Sequence, residues 1–263
     1  ISSLLLSKMY KYLAIQGAGL GLYAYVGWMI QNKESIITLD EVSGSSAGAI
    51  IACLWGLGWD PQRILEAVLS VDLKRTSEYS ITNLFTSYGL MNYTRIRESI
   101  LKLTGSDPTF KDLKRKIHIS AYCLNKKTTH TFSSDSHPDM SVIDAVIMSS
   151  SIPLVIGAFK YNDNHYIDGS FGEEWPITPF LNKNPEHVIQ LGIGYQNVTT
   201  DDNINSIRDF FTSFLLSIFT IRHKDYTNFK TVRVKMENNF NAIDFSIDYE
   251  SKIKLVLLGS TAK

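Results

Sequence analysis

The first 60 residues repeat one pattern twice: an apolar strand-like run ends at small residues, and an apolar helix-like run follows. The first unit is "YKYLAIQG" (10–17), then "GAGLG", then "LYAYVGWMIQN" (22–32). The second is "SIITLDEV" (35–42), then "SGSSAG", then a helix-like segment over 46–56. Almost continuously apolar strands that alternate with helices indicate a mostly parallel sheet flanked by helices.

The rest of the chain fits the same α/β architecture. We expect a three-layer sandwich that forms a single domain over residues 1–263, a length that suits one large domain. A polar, irregular region over 72–92 is expected to cover the site. The further expected elements are strands at 116–124 and 128–134 joined by a turn, a helix at 141–151, a hairpin at 158–169 and a strand at 186–195.

The second turn, from Gly44 to Gly48, matches the G-x-S-x-G nucleophile elbow. Small residues let the chain turn sharply from strand to helix and leave Ser46 at the helix N-terminus. Unpaired N–H groups there favour a developing negative charge. Small-residue turns are common, so the motif alone leaves a purely structural turn as the alternative.

The first turn, "GAGLG", carries three glycines directly after a strand. Such a turn brings backbone N–H groups close to an anion. One alternative is a tight turn without a ligand. Another is a dinucleotide site with Asp40 as the ribose-binding acid, although the third glycine of G-x-G-x-x-G would fall at Leu22.

A serine nucleophile needs a base, and Asp168 is the candidate. It follows an apolar strand and precedes Gly169, a setting that is also typical of a simple turn. None of the histidines lies in a recognisable catalytic setting; they are His118, His130, His137, His165, His187 and His223. A partly buried Asp168 can take the serine proton directly.

Composition excludes several classes of function. Lys+Arg and Asp+Glu both number 26, and the zero net charge without a basic stripe argues against nucleic acid as a partner. No segment reaches the ~18–20 apolar residues of a membrane span. The two cysteines cannot form a disulfide framework, which indicates a reducing compartment. No cluster has metal-ligand spacing, and we expect neither metal nor cofactor.

Taken together, these motifs resemble the patatin-like phospholipase family over nearly the whole chain from about Tyr10. The resemblance implies a lipid acyl hydrolase with a Ser46–Asp168 dyad and elbow glycines Gly44 and Gly48. It also implies an oxyanion loop and supporting residues. The loop comprises Gly17, Ala18, Gly19, Leu20 and Gly21, and the supporting residues are Ser149, Pro153 and Gly169. The closing "AIDFSIDYESKIKLVLLG" is similar to the family's terminal segment.

The chain also departs from the family pattern. Gly21 stands where members usually carry Arg or Lys, Ser170 replaces the last small residue of D-G-[GA], and Glu174 stands at a common Asn position. The altered loop motivates an alternative function, a catalytically weak or silent lipid-binding or scaffold protein with this fold. A nucleotide-dependent oxidoreductase is the third hypothesis.

The resemblance implies a phospholipid or lysophospholipid substrate at a membrane surface. We expect a cytoplasmic protein that attaches peripherally to membranes. The segment 206–223 carries an apolar helical stripe, which favours a helix packed on the sheet and leaves an interfacial helix as the alternative. Nothing in the sequence indicates the oligomeric state.

Overall fold

A mostly parallel sheet forms the centre of the fold. The computed structural model describes residues 9–76, 79–195, 204–205, 210, 213–214, 217, 228–237 and 240–263. In these residues the strands are β1 (Tyr12–Ile15), β2 (Glu41–Gly44), β3 (Gly89–Met91), β4 (Lys116–Cys123), β5 (Thr128–Ser133), β6 (Leu154–Ile156), β7 (Phe159–Tyr161), β8 (Asn164–Asp168), β9 (Val188–Tyr195) and β10 (Lys230–Met236). The helices are α1 (Leu22–Gln31), α2 (Lys33–Ile36), α3 (Ala47–Gly56), α4 (Pro61–Ser70), α5 (Leu73–Thr76), α6 (Ile81–Ser87), α7 (Tyr93–Thr104), α8 (Val142–Ser150) and α9 (Tyr249–Ser260).

The strands follow the order β10-β9-β1-β2-β4-β8-β7, and β5 also pairs with β4. Every pairing from β10 to β4 is parallel, whereas β5 and β8 pair antiparallel with β4. β3 and β6 form a separate two-stranded sheet. The expectation of an α/β fold with a mostly parallel central sheet flanked by helices is confirmed.

The two faces of the sheet are covered differently in the described part of the chain. Leu13, Ile15 and Val42 belong to the large core that also contains the apolar residues of α1, α3 and α8. On the opposite face, Trp175, Ile177 and Phe180 form a smaller core with residues of β1 and β9. Burial on both faces explains why the strands read as continuous apolar runs.

Helices α1 and α9 pack unusually closely. A Cβ added at Gly27 would lie 2.0 Å from the carbonyl oxygen of Val256, and one at Gly259 would lie 1.8 Å from that of Ala24. Only glycine permits this approach of one backbone to another. The C-terminal helix is thereby held against the helix that follows the glycine-rich turn.

The second strand lies later than the sequence predicts. Over 35–42 the sequence predicts a strand, but Lys33–Ile36 form the short helix α2 and the strand is Glu41–Gly44. The prediction is wrong at its start because Ile36 is buried from a helical turn, in which its N–H donates to the carbonyl of Asn32. The hairpin at 158–169 and the antiparallel pair at 116–124 and 128–134 are confirmed within a few residues.

The predicted apolar helix over 206–223 lies outside the described residues, except for four positions. Of these, Phe210 and Phe214 are exposed and their rings stack. Among all the residues described, no helix has both the length and the apolar character needed to cross a bilayer.

Candidate active site

The neighbours of β4 bring together two residues that are far apart in the chain. β5 occupies one edge of β4 from His118 to Cys123. β2 and β8 therefore share the other edge, with Gly44 opposite Ile119 and Asp168 opposite Ala121. β2 runs parallel to β4 and β8 runs antiparallel to it, so the carboxyl ends of β2 and β8 point towards each other. The two ends are separated by two residues of β4, about 7 Å along the strand. Ser46 follows the first of these ends and Asp168 closes the second.

Ser46 sits in a strained turn between β2 and α3. Its backbone has φ 51° and ψ −120°, a left-handed value that residues with side chains rarely adopt. A Cβ at Gly44 would lie 2.2 Å from the carbonyl oxygen of Gly48, and one at Gly48 would lie 2.2 Å from that of Ile15. Both glycines are therefore required by close backbone contacts, and the turn has the geometry of a nucleophile elbow.

Asp168 is buried, with 1% of its surface exposed, and Ser46 retains 6%. Burial raises the pKa of Asp168 to about 6 because the charged carboxylate loses its water. The backbone N–H of Ser170 donates to Oδ1 of Asp168 at 2.9 Å, and this bond, together with the Ser46 and Ser170 side chains, opposes that rise and lowers the pKa of Asp168. The carboxylate is thus held next to the Ser46 hydroxyl, and its proton affinity is higher than that of an ordinary aspartate.

The histidines in the described part of the chain are engaged away from this pair. His118 binds Glu41 at 2.6 Å, and His130 binds the Tyr166 hydroxyl at 3.0 Å. His137 contacts Ser136, the ring of His165 packs edge-on against Tyr88, and His187 is exposed. His223 lies outside the described residues. None of the described imidazoles hydrogen bonds to Ser46 or Asp168.

The glycine-rich turn lies directly against the pair. A Cβ added at Gly17 would lie 2.9 Å from Cβ of Ser46 and 2.2 Å from Oγ of Ser170. Within the described residues, the backbone N–H groups of Gly17, Ala18 and Gly19 donate no hydrogen bond. The Leu20 N–H donates instead to the carbonyl of Ala242 at 2.8 Å, and the Gly21 N–H donates to Ala18 at 2.9 Å. Of the five residues that the sequence predicts for the oxyanion loop, Leu20 and Gly21 therefore already use their N–H groups within the protein.

The position of Asp40 does not fit the dinucleotide alternative. Asp40 precedes β2 and forms an exposed ion pair with Lys11 at 3.7 Å. It therefore lies at the amino end of the strand, whereas a ribose-binding acid in such a site follows the carboxyl end. Among the described residues, no group of three or more His, Cys, Asp or Glu side chains is arranged to hold a metal ion.

Ser149 braces the elbow from α8. Its Oγ accepts a hydrogen bond from the Ser46 N–H at 2.8 Å and donates one to the carbonyl of Ser120 at 2.6 Å. The chain then turns through Pro153, and the carbonyl of Ser151 accepts the N–H of Asp168 at 2.9 Å. The segment from Ser149 to Ser151 therefore contacts both Ser46 and Asp168.

Gly169 is required by its contact with β4, since a Cβ there would lie 2.2 Å from the carbonyl oxygen of Ser120. Sequence reasoning missed two contributors. Ser170 was noted only as a departure from a motif, and its hydroxyl lies 3.3 Å from that of Ser45. Ala242 opens the closing segment that resembles the family's terminal segment, but nothing in its residue type indicates that its carbonyl accepts a hydrogen bond from the glycine-rich turn.

Known proteins are similar to this chain in sequence. Residues 13–181 match the family described as patatin-like phospholipase. Uncharacterized protein R571 of Acanthamoeba polyphaga mimivirus is 24% identical over 92% of this chain and 88% of its own length. Probable lipid hydrolase 463L of Invertebrate iridescent virus 6 is 26% identical over 65% of this chain and 63% of its own length.

Two solved structures share the fold at low sequence identity. VipD from Legionella pneumophila has a TM-score of 0.62 at 14% identity, covering 95% of this chain and 65% of VipD. ExoU from Pseudomonas aeruginosa, solved with SpcU, has a TM-score of 0.51 at 16% identity, and the chain spans 50% of it. The family match covers more than half of the chain, and the protein therefore belongs to the patatin-like phospholipase family.

Proposed function

We propose that this protein is a lipid acyl hydrolase that cleaves fatty-acyl esters of phospholipids or lysophospholipids, with Ser46 as nucleophile and Asp168 as base. The observation that carries the proposal is the convergence of the carboxyl ends of β2 and β8 on one side of β4, which brings Ser46 beside the buried carboxyl of Asp168. The family match and the name of the viral relative, a probable lipid hydrolase, support the same class of substrate.

In the first half-reaction, the Ser46 oxygen attacks the ester carbonyl while its proton passes to Asp168. The carbonyl oxygen becomes an oxyanion, and preorganised N–H donors lower the energy of that charge. The N–H groups of Gly17, Ala18 and Gly19 fit this role, together with that of Ala47 at the start of α3. The C–O bond to the leaving group then breaks, and the proton on Asp168 moves to the departing oxygen.

In the second half-reaction, Asp168 takes a proton from water as the water attacks the acyl-Ser46 ester. The same N–H groups bind the second oxyanion. The bond to Ser46 breaks, the proton returns to its oxygen, and a fatty acid leaves. A base with a pKa near 6 suits these transfers better than an ordinary aspartate, since catalytic bases work best when their pKa lies near the operating pH.

Hydrolysis by matched variants tests the proposal. Ser46→Ala and Asp168→Asn are each expected to lower kcat at least about a thousandfold, because the two groups act as one unit. The controls are Ser150→Ala, a neighbouring serine of α8, and Asp163→Asn, an exposed carboxylate of the β7–β8 hairpin. Both controls are expected to keep wild-type rates.

A fluorophosphonate probe separates the proposal from its rival, a silent lipid-binding protein, because only an activated serine reacts with it. We expect labelling of the wild type and none of Ser46→Ala. Absence of labelling together with intact lipid binding would support the silent alternative. Activity that survives Asp168→Asn but is lost on changing His187 or His223 would assign the base to an imidazole.

A further inference from the structure

Helix α6 presents an apolar face to solvent. Ile81 is 73% exposed, Phe85 is 78% exposed and Tyr88, which ends the helix, is 60% exposed. These positions recur at helical spacing, so the three side chains share one face, and no residue of α6 is buried. Tyr79, just before the helix, is also exposed. An apolar helical face normally packs inward, so this one is available for a partner.

The connections of α6 place this face beside the candidate active site. The carbonyl of Ser87 accepts the N–H of Ala158, and β3, which follows the helix, pairs with β6. β6 begins directly after Pro153, in the segment that also binds the backbone of Asp168. The helix is therefore fixed to the same short segment that supports the catalytic pair.

The β7–β8 hairpin lies next to the C-terminal end of α6. The ring of Tyr88 packs edge-on against His165, with ring centroids 5.8 Å apart. His165 precedes Asp168 by three strand residues, about 10 Å along β8. The Tyr88 end of the apolar face therefore lies past the carboxyl end of β4, at the same end of the sheet as Ser46 and Asp168.

Exposed lysines lie in the two turns that adjoin the Tyr88 end of the apolar face. His165 binds the turn after β4, through Leu124 and Asn125. This turn continues into Lys126 and Lys127, which are both exposed, and Leu124 is 44% exposed. The neighbouring hairpin adds Lys160, whose only ion pair in the described chain is an exposed one with Asp163 at 3.1 Å.

We propose that the exposed face of α6, with the lysines of the 125–127 turn and the β7–β8 hairpin, docks onto a bilayer that contains anionic lipid. Apolar side chains that enter the interface beside lysines that face phosphates are the two components of peripheral membrane binding. Docking would place the end of the sheet that carries Ser46 next to the bilayer. The inference that docking brings the active site to its substrate rests on the proposed function, but binding of the protein to vesicles can be measured without catalysis.

The test uses Ser46→Ala protein, so that no lipid is consumed, and sedimentation with vesicles of phosphatidylcholine alone or with one quarter phosphatidylserine. Ile81→Asp combined with Phe85→Asp is expected to weaken binding at least tenfold. Lys126→Glu combined with Lys127→Glu is expected to weaken binding only to the vesicles with phosphatidylserine. Ile37→Asp is the matched control. Ile37 is 78% exposed but precedes β2, so it lies towards the amino ends of the parallel strands, away from Ser46.

A soluble short-chain ester separates this inference from the proposed function. In the Ser46-containing protein, the α6 variant is expected to hydrolyse the soluble ester at the wild-type rate and vesicle lipid far more slowly. Wild-type binding by the α6 variant would overturn the docking surface, whatever the activity. A change from dimer to monomer on mutating Phe85, measured by light scattering, would assign the face to a second copy instead. Vesicle binding through α6 without any ester hydrolysis would contradict the proposed function and leave the docking surface supported.

Discussion

The Oγ of Ser170 lies 2.2 Å from the point where a Cβ would stand on residue 17. The glycine-rich turn and the residue after Asp168-Gly169 are therefore in direct contact, with Ser46 as the third neighbour. We therefore expect a substitution at either position to affect both Asp168, the proposed base, and the N–H groups next to Ser46, the proposed nucleophile.

Gly17→Ala is expected to lower kcat at least about a hundredfold, because the new methyl group must displace Ser170 or Ser46 and shift the N–H donors. Hydrolysis of a soluble ester and the melting temperature measure the two effects. Gly194→Ala in β9 is the control, since a Cβ there meets only the Arg233 side chain at 3.5 Å and beyond. A wild-type kcat for Gly17→Ala would show that the turn does not contribute to catalysis.

Ser170→Ala is expected to move the acidic limb of the kcat profile to higher pH. The Ser170 hydroxyl stabilises the charged form of Asp168, so its removal raises the pKa of that carboxyl further. Activity well above the limb should change much less. Ser45→Ala, which removes a hydroxyl contact to Ser170 but none to Asp168, serves as the control and should leave the limb in place. An unmoved limb in Ser170→Ala would contradict the role of the hydroxyl.

The pKa of Asp168 near 6 also predicts that activity falls as pH drops below about 6, because the base becomes protonated. Stability should run the other way. The folded protein binds this proton more tightly than the unfolded chain, so ionisation costs stability as pH rises from about 4 to about 6. The cost reaches at most about 3 kcal/mol.

Asp168→Asn is therefore expected to unfold at higher urea concentration than the wild type at pH 7.5, although we also expect it to lack activity. The difference should shrink towards pH 4, where the wild-type carboxyl is neutral. Asp163→Asn, whose side chain is exposed, should show no such gain. Equal stability of Asp168→Asn and wild type at both pH values would argue against a desolvated carboxylate.

Ser149→Ala removes the oxygen that holds the Ser46 N–H and the hydroxyl that binds Ser120. Leaving such buried groups without partners costs about 1–3 kcal/mol. We expect a lower melting temperature and a lower kcat, because the elbow loses its brace. Ser150→Ala is the matched control, since the buried Ser150 hydroxyl has no hydrogen-bond partner in the described structure. Equal effects of the two substitutions would refute the bracing role.

Much of the fold could be predicted from local pattern. Glycines between apolar runs indicated the β1–α1 and β2–α3 junctions, and the Asn162–Asp163 turn indicated the β7–β8 hairpin. The sequence predicts too early a start for β2, because the run from Ile36 to Leu39 suits a helical turn as well as a strand. Only pairing with β1 and β4 sets the register, and that pairing is a long-range property.

The sequence predicts which residues form the candidate site, but it does not predict how the fold brings them together. Ser46 and Asp168 stand out by motif, yet the reason they meet is that β2 and β8 share one edge of β4. That arrangement depends on β5 taking the other edge, which no residue type records. The bracing by Ser149 is similar, since a serine on an apolar helix gives no sign of which backbone group it will bind.

The contact between Ala242 and the glycine-rich turn has a consequence for where the protein can be shortened. The carbonyl of Ala242 takes the Leu20 N–H and touches Gly19 so closely that a Cβ would lie 2.1 Å away. The family match ends at residue 181, long before this clamp. A chain that stops there would retain Ser46 and Asp168 yet leave the turn unsupported, so we expect the smallest active unit to extend past the matched region to Ala242.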